Sequence, residues 1–145
     1  MEEGLNAILV LDFGGQYCHL IARRVREQGV YSEIVSCDMT KEEMLSLQNK
    51  MTIKGIVLSG GPSSVYEKDA PSLDPEVLGL GIPVLGLCYG HQLIAHMFGG
   101  EVRRGDKKEY GLTQVTVAKP EDVLEGLDPV EEVWMSHGDT VYGLP

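Results

Sequence analysis

Cys88 is the residue whose neighbours in the sequence best suit covalent chemistry. It is the centre of the string Gly86-Leu87-Cys88-Tyr89-Gly90, which follows an apolar run and precedes a helical pattern. Small residues two positions either side of a nucleophile are typical of a nucleophile elbow, a sharp strand-to-helix turn. Such a turn places the sulfur at a helix N-terminus, where free N–H groups and the helix dipole favour the thiolate. We therefore predict a reactive Cys88, whereas Cys18 and Cys37 lack this context and are predicted to be inert.

A second string, Ser59-Gly60-Gly61-Pro62, also follows a strand pattern. In parallel sheets, ligands bind outside the carboxyl ends of the strands. Glycines there let the backbone approach a substrate and offer N–H groups to a developing oxyanion. In isolation such a string is as often a plain turn, but beside an elbow it favours a substrate-binding loop.

The elements that would position these strings alternate along the first hundred residues. Apolar runs predict strands over 7–11, 30–37, 53–58 and 83–87. Helical spacing predicts helices over 17–25, 41–47 and 91–98, the second opened by a Thr40–Glu43 capping box, with a short helix near 75–80. This order predicts a three-layer α/β fold with a doubly wound, mostly parallel sheet. After residue 100, alternation over 110–117 and 132–135 predicts a small antiparallel addition, and we expect one domain over 1–145.

Charge and composition exclude several classes of function. The net charge of −10 argues against direct binding of nucleic acid, which needs clustered Lys and Arg. No apolar stretch approaches the length of about 20 residues that a membrane span requires. Three cysteines without paired spacing are typical of a reducing compartment, which predicts a cytoplasmic protein.

Taken together, these strings resemble the glutaminase domain of the GMP synthase family, within the class I glutamine amidotransferases. The Cys88 elbow and the Ser59–Pro62 string are shared by class I amidotransferases generally. The strings that select the GMP synthase family are Asp12-Phe13-Gly14-Gly15-Gln16-Tyr17, Glu109-Tyr110-Gly111 and Trp134-Met135-Ser136-His137-Gly138-Asp139. The resemblance covers nearly the whole chain and implies a flavodoxin-like, class I glutaminase fold.

The resemblance implies a role for each string. Cys88 would attack the side-chain amide of glutamine, forming a γ-glutamyl thioester and releasing ammonia, and water would then hydrolyse the thioester. Gly61 and Tyr89 would donate the oxyanion-hole N–H groups, and Gln92 would contact the glutamine. The segment expected to hold the α-amino and α-carboxylate groups of glutamine contains Ser136, Gly138 and Asp139.

The implied partners are L-glutamine and an ATP-pyrophosphatase synthetase domain or subunit. That synthetase would use the ammonia to convert XMP to GMP, in a ligase reaction of purine biosynthesis. ATP and Mg²⁺ would belong to the synthetase, so no cofactor or metal is expected in this chain.

The general base of the family is a histidine oriented by a glutamate, in a His-Pro-Glu string that this sequence does not contain. We therefore expect a C-terminally truncated piece with weak or no turnover alone. His91 and His137 are the weaker candidates for the base, and His19 and His96 are expected to be surface or packing residues. A truncated sheet would also expose apolar surface, which predicts marginal stability or self-association.

Three other interpretations stay open at this point. The chain could belong to another class I amidotransferase, such as an anthranilate synthase or carbamoyl phosphate synthetase glutaminase, although the selective strings disfavour this. It could be a non-catalytic module that binds glutamine or docks to a partner, for which the missing His-Pro-Glu is the support. An unrelated Cys hydrolase would leave the Met135–Asp139 string unexplained.

Overall fold

The computed structural model describes residues 4–145, apart from the side chains of residues 106–109. Glu109, in one of the selective strings, therefore has a side chain outside the described part. The chain forms two compact units, one that extends to Val102 and includes Val141–Pro145, and one formed by Arg103–Thr140. The expectation of a single domain stays a prediction, since two compact units can belong to one domain.

The first unit is built on a parallel sheet of four strands in the order β2-β1-β3-β4. The strands are β1 (Leu5–Asp12), β2 (Tyr31–Ser36), β3 (Met51–Leu58) and β4 (Val84–Gly86). The connections contain α1 (Cys18–Glu27), α2 (Lys41–Leu47), a 3₁₀ turn (Pro75–Gly79) and α3 (Tyr89–Met97). Strand and helix therefore alternate as the sequence predicts, and the doubly wound α/β fold is confirmed.

Helices pack on both faces of this sheet, which gives the three predicted layers. On one face, Cys18 and Ala22 of α1 contact Val10. On the other face, Leu9 and Leu11 join the larger core, with strand, α2 and α3 residues that include Ile56, Leu58, Met44 and Leu93. Consecutive strand residues point to opposite faces, so a strand covered on both faces must be apolar throughout. This is why β1 reads as a continuous apolar run.

The α2 helix begins as its sequence predicts. Thr40 accepts a hydrogen bond from the Glu43 backbone N–H at 3.2 Å, and the Glu43 carboxylate accepts one from the Thr40 N–H at 3.4 Å. This reciprocal capping box satisfies two N–H groups that the helix itself cannot.

An apolar groove lies on the α1 face of the sheet, next to β4. Leu20 and Val25 of α1 line it together with Val57, Leu85 and Leu87. Leu85 and Leu87 keep 40% and 37% of their surface exposed. The expected exposed apolar surface is therefore present, while self-association stays a prediction.

The second unit contains most of a two-stranded antiparallel sheet formed by β5 (Glu101–Thr116) and β6 (Val130–Gly143). This confirms the small antiparallel addition. The sequence places the end of the last strand near Met135, and this boundary is wrong. Residues 136–139 continue β6 instead of forming a loop after it, because pairing with a long neighbouring strand overrides the weak strand propensity of Ser, Gly and Asp.

Candidate active site

The backbone at Cys88 has the strained geometry of a nucleophile elbow. Cys88 lies between β4 and α3 with φ 51° and ψ −113°. Residues with a Cβ rarely adopt positive φ, and such outliers persist only where the surrounding structure enforces them. The residue is exposed, so the thiol is not sealed in the core. The predicted elbow is confirmed.

Close backbone packing explains why glycines flank the elbow. A Cβ added to Gly90 would lie 2.4 Å from the Leu58 carbonyl oxygen, and one added to Gly86 would lie 2.7 Å from backbone atoms of Gly90. Real Cβ atoms do not approach backbone this closely. The Leu87 N–H donates to the same Leu58 carbonyl at 2.9 Å, which holds the elbow against the end of β3. The turn therefore requires glycine at both positions.

Tyr89 anchors the elbow in the core and begins α3. Its side chain is 2% exposed, its ring packs on Phe13 with centroids 5.4 Å apart, and its hydroxyl donates to the Pro71 carbonyl. Burial raises the pKa of this phenol, with smaller contributions from Cys37 and Glu67. As the first residue of a helix, Tyr89 has no carbonyl one turn earlier within the helix to accept from its N–H. That N–H is suited to stabilise an oxyanion.

The Ser59–Pro62 string lies beside the elbow. A Cβ built on Gly60 would be 3.3 Å from the Cβ and 3.9 Å from the Sγ of Cys88. The two strings that sequence analysis selects separately therefore meet at the carboxyl ends of β3 and β4. Gly61 follows directly, so its backbone belongs to the same edge, where it could reach a group bound near the sulfur.

The remaining predicted substrate residues lie on two different elements. Gln92 is on α3, one turn after Cys88, and is 8% exposed. Ser136, Gly138 and Asp139 lie on β6 in the second unit. Their contacts with glutamine stay predictions.

The four histidines are distributed over three elements. His19 on α1 and both His91 and His96 on α3 are exposed. His137 on β6 is half-buried, and its Nδ1 lies 2.9 Å from the Asp139 carbonyl oxygen. His91 is three residues after Cys88, and its role as a base, like that of His137, stays a prediction.

The other two cysteines lie in surroundings that disfavour the thiolate. Burial raises the pKa of Cys18, and the Asp12 carboxylate raises it further, although a hydrogen bond with Ser59 opposes this shift. Burial also raises the pKa of Cys37, followed by the neighbouring Asp38. Because the thiolate is the nucleophile, both residues are suited to packing, as the sequence predicts.

Sequence analysis missed the contribution of the turn after β1. The Gly15 N–H donates to the Gly60 carbonyl at 3.1 Å, which ties this turn to the string beside Cys88. The signal available in the sequence was the matching position of the two glycine pairs, each directly beyond a strand.

Comparisons with known proteins agree with this geometry. The family model for class I glutamine amidotransferases matches residues 9–145. The chain is 51% identical over 138 residues to the glutamine-hydrolysing GMP synthase of Nostoc punctiforme, and 52% identical over 141 residues to that of Pyrobaculum aerophilum. These alignments cover 95% and 97% of the chain but 25% and 27% of the relatives. The chain thus spans about a quarter of the length of the curated relatives it matches.

Two solved structures share the fold. One is a GMP synthase subunit from Thermoplasma acidophilum, which superposes with a TM-score of 0.80 at 33% identity, over 99% of this chain and 70% of that one. The other is a glutamine amidotransferase from Thermotoga maritima, with a TM-score of 0.70 at 22% identity, over 95% of this chain and 63% of that one. The second likeness concerns the fold alone.

Proposed function

Because the chain belongs to the class I glutamine amidotransferase family, we propose that it is the glutamine-hydrolysing part of a GMP synthase. The observation that carries the proposal is the exposed Cys88, held at positive φ at the start of α3 beside the Gly60–Gly61 backbone. The high identity to GMP synthases supports this member of the family over the anthranilate synthase and carbamoyl phosphate synthetase alternatives.

The proposed reaction begins at the sulfur of Cys88. The thiolate attacks the side-chain carbonyl carbon of glutamine, and the carbonyl oxygen becomes an oxyanion. The N–H groups of Tyr89 and Gly61 donate to this oxygen, in positions fixed before substrate binds, so little reorganisation is needed. Collapse of the tetrahedral adduct breaks the C–N bond, the nitrogen takes up a proton, and ammonia leaves. Water then attacks the thioester, and glutamate and the free thiol are regenerated.

In this proposal, Gln92 contacts the glutamine and Ser136, Gly138 and Asp139 hold its α-amino and α-carboxylate groups. The ammonia would pass to an ATP-dependent synthetase domain or subunit that aminates XMP. ATP and Mg²⁺ would act in that synthetase, and the assembly would work in the cytoplasm. No helix in the described residues has the length and apolar character to cross a membrane.

We also propose that these 145 residues alone turn over slowly. Proton transfer to the leaving nitrogen requires a general acid–base group, which typically contributes about 10²–10⁴-fold to a rate. The sequence contains no His-Pro-Glu string, and three of its four histidines are exposed. Steady glutamate production by this chain at rates typical of an amidotransferase would contradict this part of the proposal.

The test compares nitrogen sources in a protein that joins this chain to an XMP-aminating synthetase. With Cys88→Ala, we expect GMP formation from glutamine to be lost and GMP formation from added ammonium to persist, because the substitution removes the thioester step alone. Cys18→Ala is the matched control and should retain both activities. Glutamine-dependent GMP formation that survives Cys88→Ala would refute the proposal. Tight glutamine binding without hydrolysis in the joined protein would favour the binding-module alternative.

A further inference from the structure

The structure points to Ser59 as a positioning residue that aims the Gly61 N–H of the oxyanion site. This inference rests on the proposed glutaminase function. Ser59 is 1% exposed, and it follows directly after the last residue of β3. It would touch neither glutamine nor the sulfur, and it would act through the two residues that come after it.

The Ser59 side chain joins the ends of β1 and β3. Its hydroxyl donates to the Leu11 carbonyl at 2.6 Å and accepts from the Phe13 N–H at 3.4 Å. The Ser59 N–H donates to the same Leu11 carbonyl at 3.2 Å. These bonds continue the pairing of β1 with β3 for one residue beyond the strands, so Gly60 leaves the sheet from a fixed point.

The turn after β1 then grips the glycine pair. The Gly14 N–H donates to the Asp12 carboxylate at 2.8 Å, and the Gly15 N–H donates to the Gly60 carbonyl at 3.1 Å. The backbones touch so closely that a Cβ on Gly15 would lie 2.4 Å from the Gly60 oxygen. Likewise, a Cβ on Gly61 would lie 2.3 Å from the Phe13 oxygen.

Planarity of the peptide bond turns this grip into a direction. The Gly60 C=O and the Gly61 N–H belong to one planar trans peptide and point in opposite directions. Because the carbonyl is held towards Gly15, the N–H is held on the side away from Gly15. Gly60 itself lies against Cys88, so a rotation of this peptide would move a donor that stands next to the sulfur.

The test uses two electrophiles that differ in their need for an oxyanion donor. A glutamine-like chloroketone forms an adduct at its carbonyl, with negative charge on oxygen, before sulfur displaces chloride. Iodoacetamide reacts by direct displacement of iodide and develops no such charge. The ratio of the two rates at Cys88, followed by mass spectrometry, therefore reports the donors and cancels changes in thiol reactivity that are common to both reagents.

Ser59→Ala is compared with Ser32→Ala, a matched control. Ser32 is also fully buried, and its hydroxyl also donates to a backbone carbonyl at 2.6 Å, that of Ala22. Loss of a whole oxyanion donor costs about 10²–10³ in rate, so a misaimed donor should lower the chloroketone-to-iodoacetamide ratio about ten-fold. Ser32→Ala should leave the ratio unchanged. Asp12→Ala, at an exposed position, loosens the same turn without disturbing the core and should also lower the ratio.

The outcomes separate this inference from the function on which it rests. An unchanged ratio in both Ser59→Ala and Asp12→Ala, with normal chloroketone capture by the unmodified chain, would overturn the positioning role alone. An equal fall in Ser32→Ala would show general loosening and would overturn it too. Failure of the unmodified chain to react with the chloroketone, while iodoacetamide reacts, would overturn the glutaminase proposal and this inference together.

Discussion

Replacing Cys88 by glycine and by alanine would separate the strain of the elbow from the loss of its thiol. Both variants remove the sulfur, and they differ in the Cβ that is strained at φ 51° and ψ −113°. Glycine adopts positive φ without steric cost. The difference in unfolding free energy between C88G and C88A therefore measures the strain that the fold imposes at the nucleophile.

The magnitude follows from two opposing effects. Glycine in place of alanine usually destabilises a protein by about 0.5–1 kcal/mol, because the unfolded chain is freer. A non-glycine residue in a sparsely populated backbone region costs about 1–3 kcal/mol. We therefore expect C88G to be more stable than C88A by about 1 kcal/mol, which corresponds to about 4 °C in Tm for a chain of this size.

Equilibrium urea unfolding followed by circular dichroism gives both free energies. Gly79 provides the control, because it lies in a 3₁₀ turn and a Cβ built on it would meet nothing within 4 Å. There, alanine should be the more stable residue by about 0.4–1 kcal/mol, so the sign of the glycine–alanine difference should reverse between the two positions. If C88G proved less stable than C88A, the elbow would not store strain and our account of its backbone would be wrong.

Three further predictions follow from local contacts. Gly90→Ala should lower the free energy of unfolding by about 1–3 kcal/mol in urea titrations, because its Cβ would lie 2.5 Å from the Leu58 Cβ; an unchanged midpoint would contradict the close packing. Thr40→Ala should cost about 1 kcal/mol, measured the same way, and Glu43→Ala should recover part of that loss in amide exchange at the start of α2. The raised pKa of Cys18 means that its stabilising contribution is complete below its unfolded value of 9.0. That contribution is lost as pH rises through the folded value, so Cys18→Ala should flatten the fall of the urea midpoint above about pH 9, and an equal slope would count against it.

The strands, helices and elbow were predictable because their signals are local. Glycines two residues either side of Cys88, and the Thr40–Glu43 pair, act within one turn of the chain. Each is therefore visible as a fixed spacing. The end of β6 was not predictable, because residues 136–139 become strand through pairing with β5, whose position is set by a distant part of the sequence.

The sequence alone determined which residue carries the chemistry and which kind of fold presents it, since both depend on residue types at short separations. Only the tertiary structure decided what surrounds Cys88. Adjacent pairing of β1 with β3 brings the Asp12–Gly15 turn onto Gly60 and Gly61, and the buried Ser59 hydroxyl joins the two strand ends. These contacts link residues separated by more than forty positions, and such pairings depend on strand order, which no local pattern encodes.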